Sequence, residues 1–275
     1  MRHILLHGHI FKNAGTSIDW ALARCLGEGF SENKDEVGLR EQGAPQLARL
    51  LAQKPALRAF SSHHLPAPLP VVDACTLHPL YLLRHPLQRC RSVYTFERRQ
   101  QADTRGARAA KELDFQAYLA WRMQADVPNV IRSYQSAYLA GDHRPFISDK
   151  EMADCFARAQ RALCELELLG LVERFDESMV LFEYLLRPHF PDIDLSCKPQ
   201  NQSAVTSVAT AVTGSEALIE EMGRIAGSVI DSNGYDLALY RLAQYKLDTA
   251  LAGIPDFSRR LSEFQNRCNV IPESH

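Results

Sequence analysis

The sequence predicts an α/β fold: a three-layer arrangement with a central, mostly parallel sheet flanked by helices and a helix-rich second half. Three observations predict it. Short apolar runs at 3–10, 57–61, 75–83 and 168–172 have strand length. Between and after them lie segments whose apolar residues recur at helical spacing. Strands that alternate with helices pair in parallel and are covered on both faces. With 275 residues and 46% hydrophobic content, the chain can bury one sizeable core, and a single domain over residues 1–275 is the expected organisation.

The run HILLHGHI is the first strand, FKNAG is a turn, and a helix follows from Thr16 to about Leu26. Residues 27–43 are polar and contain glycine, which predicts a surface loop. A helix at 45–54 precedes the second strand, which ends in Ser62, His63 and His64; LPAPLP after it is too rich in proline for regular structure. The third strand ends at Arg84, and Pro86 suits the first turn of a helix reaching about Gln101. Arg98, Arg99, Arg105, Arg108 and Lys111 form an exposed basic stretch. From Asp114 to Leu166 the spacing is helical in three pieces; a short strand at 168–172 and a helix over about 177–187 come next. Residues 188–208 hold three prolines and read as a long loop. Helices at about 214–231 and 235–252 close the body, and the tail from Gly253 is weakly patterned.

Composition excludes several classes of function. Lys and Arg total 31 against 33 Asp and Glu, so a net charge of −2 gives no global field for nucleic acid or an anionic membrane. Any anionic ligand must be caught by a local cluster. Seven scattered cysteines without a CxxC pair argue against a disulfide framework and a structural zinc site, and no metal is expected. No run approaches the roughly 18 apolar residues of a membrane span. The stretch from Ile4 is broken by His7 and His9 and is too short and polar for a signal peptide. A reduced, cytoplasmic protein is expected.

In parallel sheets ligands bind beyond the carboxyl ends of the strands. Three segments stand there: FKNAGTS, SSHH and RHPLQRCRS. In the first, Lys12, Asn13, Ala14, Gly15, Thr16 and Ser17 combine a cation, small residues and hydroxyls at a helix start, which suits an anion. A Walker loop places its lysine directly after the last glycine, whereas Lys12 precedes Gly15 by three positions. An ordinary helix start with Thr16 as N-cap gives the same pattern. In the third segment, Arg84 at a strand end and Ser92 in the next helix can close on one phosphate, since a guanidinium meets phosphate oxygens bidentately. A helix with a solvated basic face is the plain alternative. His63 and His64 stand on the same rim, and histidine is the side chain best suited to accept a proton near neutral pH.

These residues carry a resemblance. HGHIFKNAGTS looks like the 5′-phosphosulfate loop of the carbohydrate sulfotransferases, written HIPKTAGTS or FKxAGTS, in the heparan sulfate 2-O-sulfotransferase branch and its bacterial relatives. Phe11 replaces the usual proline and Asn13 the threonine. YLLRHPLQRCRSVY resembles the family's 3′-phosphate motif RDPxxRxxSxY, with Arg84, Pro86, Arg89, Ser92 and Tyr94 at matching positions and His85 in place of the aspartate. GLVERFDES and SNGYDLALYRLA are weaker echoes, read as architecture, with Asp176 or Ser178 as a helix cap and Tyr235, Leu239 and Leu242 as core.

The resemblance implies a P-loop-like fold and a sulfuryl donor, 3′-phosphoadenosine 5′-phosphosulfate (PAPS), with PAP as product. It implies that residues 12–17 hold the 5′ end, that Arg84 and Ser92 hold the 3′-phosphate, and that Lys12 stabilises the departing charge. A histidine followed by a hydrophobic residue and Pro or Ser is the family's base, which selects His64 over His63. The acceptor is expected to carry a free hydroxyl on a carbohydrate or small metabolite, an acidic glycan if the 98–111 stretch contacts it. Lys198 and Asn201 are candidates to close over the nucleotide. A P-loop small-molecule kinase and a non-catalytic PAP-binding protein on the same fold are the competing expectations.

Overall fold

The computed structural model describes residues 1–33, 36–198 and 216–271. Five strands, β1 (Arg2–Gly8), β2 (Phe30–Glu32), β3 (Ala59–Ser62), β4 (Cys75–Leu83) and β5 (Leu168–Leu171), pair in parallel in the order β2-β3-β1-β4-β5. The strands read as continuous apolar runs because a parallel sheet is covered on both faces. Ile4, Leu5 and Leu6 in β1 and Leu80 and Leu83 in β4 are wholly buried. Each such side chain contributes on the order of 1.5–3 kcal/mol by leaving water.

From β1 the chain runs through α1 (Gly15–Leu26) to β2 at the sheet edge, and α2 (Glu36–Gln53) brings it back to β3. The helix α2 is kinked at Gly43, whose φ of 55° needs a residue without Cβ, two positions ahead of Pro45. The chain then crosses to the other side of β1 to form β4 and β5. The carboxyl end of β1 therefore lies between two strands whose connections leave in opposite directions, the place where such sheets form a binding crevice.

The second half is helical, as the periodicity predicts: α3 (Pro86–Arg99), α4 (Arg105–Glu112), α5 (Phe115–Arg122), α6 (Tyr134–Leu139), α7 (Asp149–Glu165), α8 (Phe175–Leu186), α9 (Ala226–Ser232), α10 (Gly234–Ala252) and α11 (Phe257–Val270). Ser148 and Glu151 form a capping box that starts α7. The main core joins the sheet to α1, α2, α7, α8, α10 and α11. A second apolar cluster, including Leu87, Val93, Tyr118, Ile131 and Met222, packs α3 to α5 against residues 216–222 and α9. No helix among the described residues is long and apolar enough to cross a membrane.

Several local expectations are corrected or refined by the structure. The 27–43 loop contains β2 and the start of α2; β2 is only three residues long, too short to show alternation. The basic stretch is exposed at Arg98, Arg99, Arg105, Arg108 and Lys111, as expected, and includes a helix, α4, capped by Thr104. The tail forms α11, whose Phe264 is wholly buried and whose Arg267 bonds the Glu183 carboxylate at 2.7 and 2.8 Å. Ser178 caps nothing; inside α8 its Oγ accepts from the Leu171 amide at 2.9 Å, and Tyr235 is exposed while Asp236 beside it is buried.

Gly8 ends β1 flat against the ring of Tyr81: a Cβ there would lie 2.0 Å from Cε1. Gly8→Ala should lower stability by about 1–3 kcal/mol through overpacking, read from the urea midpoint. An unchanged midpoint would mean that the β1–β4 register is wrong.

Candidate functional site

The loop after β1 gets its shape from two non-glycine residues in the left-handed region, Lys12 (φ 68°) and Ala14 (φ 59°). Ala14 stands at the N-cap of α1 with no capping side chain, so Thr16 is not the cap but an exposed residue of the first turn. The first amides of a helix have no intrahelical acceptor, and Gly15 and Thr16 are the first two residues of α1. Asn13 does not face that opening. Its Nδ2 donates to the Leu82 carbonyl at 2.8 Å and to Gln135 Oε1 at 2.6 Å, and its amide donates to the Ile10 carbonyl at 3.1 Å. Asn13 is thus an anchor of the loop. Ser17 is buried, with its amide on the Ala14 carbonyl. Gly15 is required by His9, whose ring carbon Cδ2 would be 2.1 Å from an added Cβ.

Three cations converge on this loop. Arg84, just past β4, donates from Nη1 to the Lys12 carbonyl at 3.2 Å. Gln135 fixes its backbone on both sides, accepting from the Arg84 amide and donating to the Arg84 carbonyl, each at 2.9 Å. Arg89 on α3 is 1% exposed, donates from Nε to the Phe11 carbonyl at 3.0 Å and stacks 4.3 Å from the Tyr134 ring centre. Lys12 Nζ lies 4.4 Å from the Phe96 ring centre, also on α3. Ser92 sits one turn beyond Arg89 and one turn before Phe96, on the same side of α3.

Among the described residues none of these three cations forms an ion pair, and the buried Arg84 Nε and Arg89 Nη2 have no acceptor. Burial, with Arg84 and Arg89 close by, brings Lys12 down to about 8. Burial lowers Arg84 and Arg89 as well, with Glu173 only partly offsetting it at Arg84. Buried cations of like sign, with donors unspent, have the chemistry to hold an anion.

The two candidate bases differ. His63 donates from Nδ1 to the His9 carbonyl at 2.7 Å, which makes Nε2 its basic nitrogen, and its ring lies 4.1 Å from that of His9. His64 packs edge-on against His143, 5.1 Å between centres, and its Nδ1 is buried without a partner. Burial, then His143, His63 and Arg40, bring His64 down to about 4. His7 and His9 share the carboxylate of Asp19 on α1, each with Nδ1 at 2.7 Å. Burial pushes Asp19 up, but the charge and hydrogen bonds of the two rings outweigh it and hold the carboxyl below its usual range.

Sequence reasoning missed Arg89, Gln135 and Asp19 as site residues. Arg89 stood inside a recognised motif, but nothing in spacing alone reveals that it is the largest fully buried side chain. In the basic stretch, Arg105 and Arg108 are paired with Asp126 and Asp103 on the surface, and Arg98 donates to the Tyr94 hydroxyl at 2.6 Å. Asn201 lies outside the described residues; Lys198 is the last described residue before that segment.

No family model matches the chain. It is similar to an uncharacterized protein of Archaeoglobus fulgidus, 28% identical over 199 residues that cover 71% of this chain and 78% of the relative.

Lys12 gives the site a pH signature. Below about 8 it is protonated in the folded chain and attracts an anion; above that it is neutral. The affinity for sulfate, which does not titrate in this range, should fall several-fold as pH rises through 8, and Lys12→Met should remove the step, both read by calorimetry. Without anion the sign reverses: between about 8 and 10.5 the unfolded chain holds a proton that the native chain has released, so Lys12 makes stability rise with pH there.

Proposed function

We propose that this chain is a PAPS-dependent sulfotransferase that moves a sulfuryl group to a hydroxyl of a carbohydrate or other small metabolite. One observation carries the reading: Lys12, Arg84 and Arg89 meet at the carboxyl ends of β1 and β4 with two buried guanidinium N–H groups unspent. That donor set fits a ligand with two anionic ends. The amides of Gly15 and Thr16 with Lys12 would hold the 5′ end, and Arg84 with Ser92 the 3′-phosphate, the division that the sulfotransferase resemblance implies. PAPS, when bound, supplies the activated sulfuryl group.

In this reading Lys12 balances the negative charge that builds during transfer; a value of about 8 keeps most of it protonated at neutral pH. His63 takes the acceptor's hydroxyl proton on Nε2. The His9 carbonyl fixes the His63 tautomer, so no ring reorientation precedes the proton transfer. This assigns the base to His63 in preference to His64, whose buried Nδ1 and value near 4 suit a packing partner of His143. The reading includes a cytoplasmic setting, which seven free thiols support.

PAP should raise the melting temperature, while ATP with magnesium should raise it far less. Stabilisation by ATP and magnesium alone would favour a kinase and end this proposal. Arg84→Ala should abolish the preference for PAP over AMP; equal loss of both would displace the 3′-phosphate site. His63→Ala should cut sulfuryl transfer by about 10²–10⁴-fold with PAP binding intact, and His64→Ala should leave most of the turnover. PAP binding without transfer to any acceptor in the wild type would leave a PAP-binding protein instead.

A further inference from the structure

A second cluster of imidazoles lies at the amino-terminal end of the sheet, away from the anion site. His3 begins β1, His78 lies in β4, and His189 follows α8. The parallel register sets Leu5 opposite His78, so His3 and His78 stand diagonally on neighbouring strands, with His3 Nδ1 2.9 Å from His78 Nε2. The His189 ring stacks on His3, 4.0 Å between centres and 12° from parallel, and lies 5.0 Å from His78. One nitrogen from each of the three rings falls within 4.8 Å of the others.

We propose that His3, His78 and His189 form a binding site for a divalent transition-metal ion of the zinc, copper or nickel class. Imidazole nitrogen suits these ions, and three histidines leave one coordination position for water or a further ligand. Ligand nitrogens about 2.0–2.1 Å from a tetrahedral ion are about 3.3 Å apart, so the His3–His78 pair needs to open by only a few tenths of an ångström. His189 is exposed, and a turn of its ring brings an edge to the pair where its face now stacks. Among the described residues no carboxylate or backbone carbonyl takes up the His3–His78 pair; each ring's partner is another imidazole or, for His78, Phe190. The sites are separate in sequence and in place along the strands. A metal here would clip β1, β4 and the turn after α8 together, far from Lys12 and Arg84. The proposal departs from the sequence-based expectation of a chain without a metal.

The test uses tag-free protein stripped with a chelator and titrated with Zn²⁺, with Co²⁺ absorption as the report of coordination. The expected result is one saturable equivalent per chain, a higher melting temperature with zinc, and at least a tenfold loss of affinity in His189→Ala and in His78→Gln. His189→Ala is the cleaner variant because the ring is exposed and its removal leaves the core untouched. No saturable equivalent in the wild type, or an affinity unchanged in both variants, overturns the proposal. PAP binding should be the same with and without zinc, so this outcome is independent of the sulfotransferase reading.

Discussion

Buried positive charge that is only partly compensated at the end of β1 is the constraint around which the site is built. Burying a cation without a counter-charge is among the costliest arrangements a protein interior can hold. Here two guanidinium groups and an ammonium share one loop: Arg84 and Arg89 both lower Lys12, Arg89 lowers Arg84, and Glu173 and Asp236 only partly offset the burial of the two arginines. Such a group keeps its position only if the surrounding structure fixes it. Gln135, wholly buried, does this by holding Arg84 on both sides of its peptide and Asn13 from the loop. Asp236, at the start of α10, in turn accepts from the amides of Gln135 and Ser136 at 3.0 and 2.7 Å, capping α6 from another helix. Loop, strand end, short helix and C-terminal helix thus form one polar network beneath the cations. A partly satisfied network of this kind is costly, and the anion proposed above would complete it.

The arrangement explains why the second half of the chain must be helical and close at hand. α3 contributes Arg89 and Phe96 from one face, α6 contributes Gln135 and Tyr134, and α10 contributes Asp236. The sheet alone supplies only the loop and Arg84. The helices that carry the second apolar cluster therefore do more than enlarge the core: α3 has its apolar side in that cluster and its basic side on the loop.

Much of this was legible in the sequence, and what was not has physical reasons. Four of the five strands, the parallel sheet, the loop at 11–17 and the Arg84–Ser92 spacing follow from period, length and strand-end position. β2 escaped because three residues carry no period, and α11 because a helix held by Phe264 and by Arg267 on Glu183 needs only a narrow apolar stripe. Asn13 lies in the expected loop, but its side chain has structural partners. A polar residue in a turn looks the same whether its amide meets a ligand or, as here, the Leu82 carbonyl and a glutamine 122 positions away. The choice between His63 and His64 is likewise invisible in sequence, since it depends on a backbone carbonyl of another strand's end.

Strand geometry adds a last constraint on the histidines. His7, in β1, and His9, just past its end, both reach the carboxylate of Asp19 on α1. A carboxylate one turn into a helix would ordinarily weaken an anion site at that helix's start. Here its charge is taken up by two ring N–H donors at 2.7 Å, one of which belongs to the ring lying under Gly15. The same interaction fixes His9, and the backbone of His9 fixes His63. Asp19 therefore serves both halves of the site: its charge is spent on imidazoles and not on the crevice, and the strand end it rigidifies is the one that sets the tautomer of the proposed base.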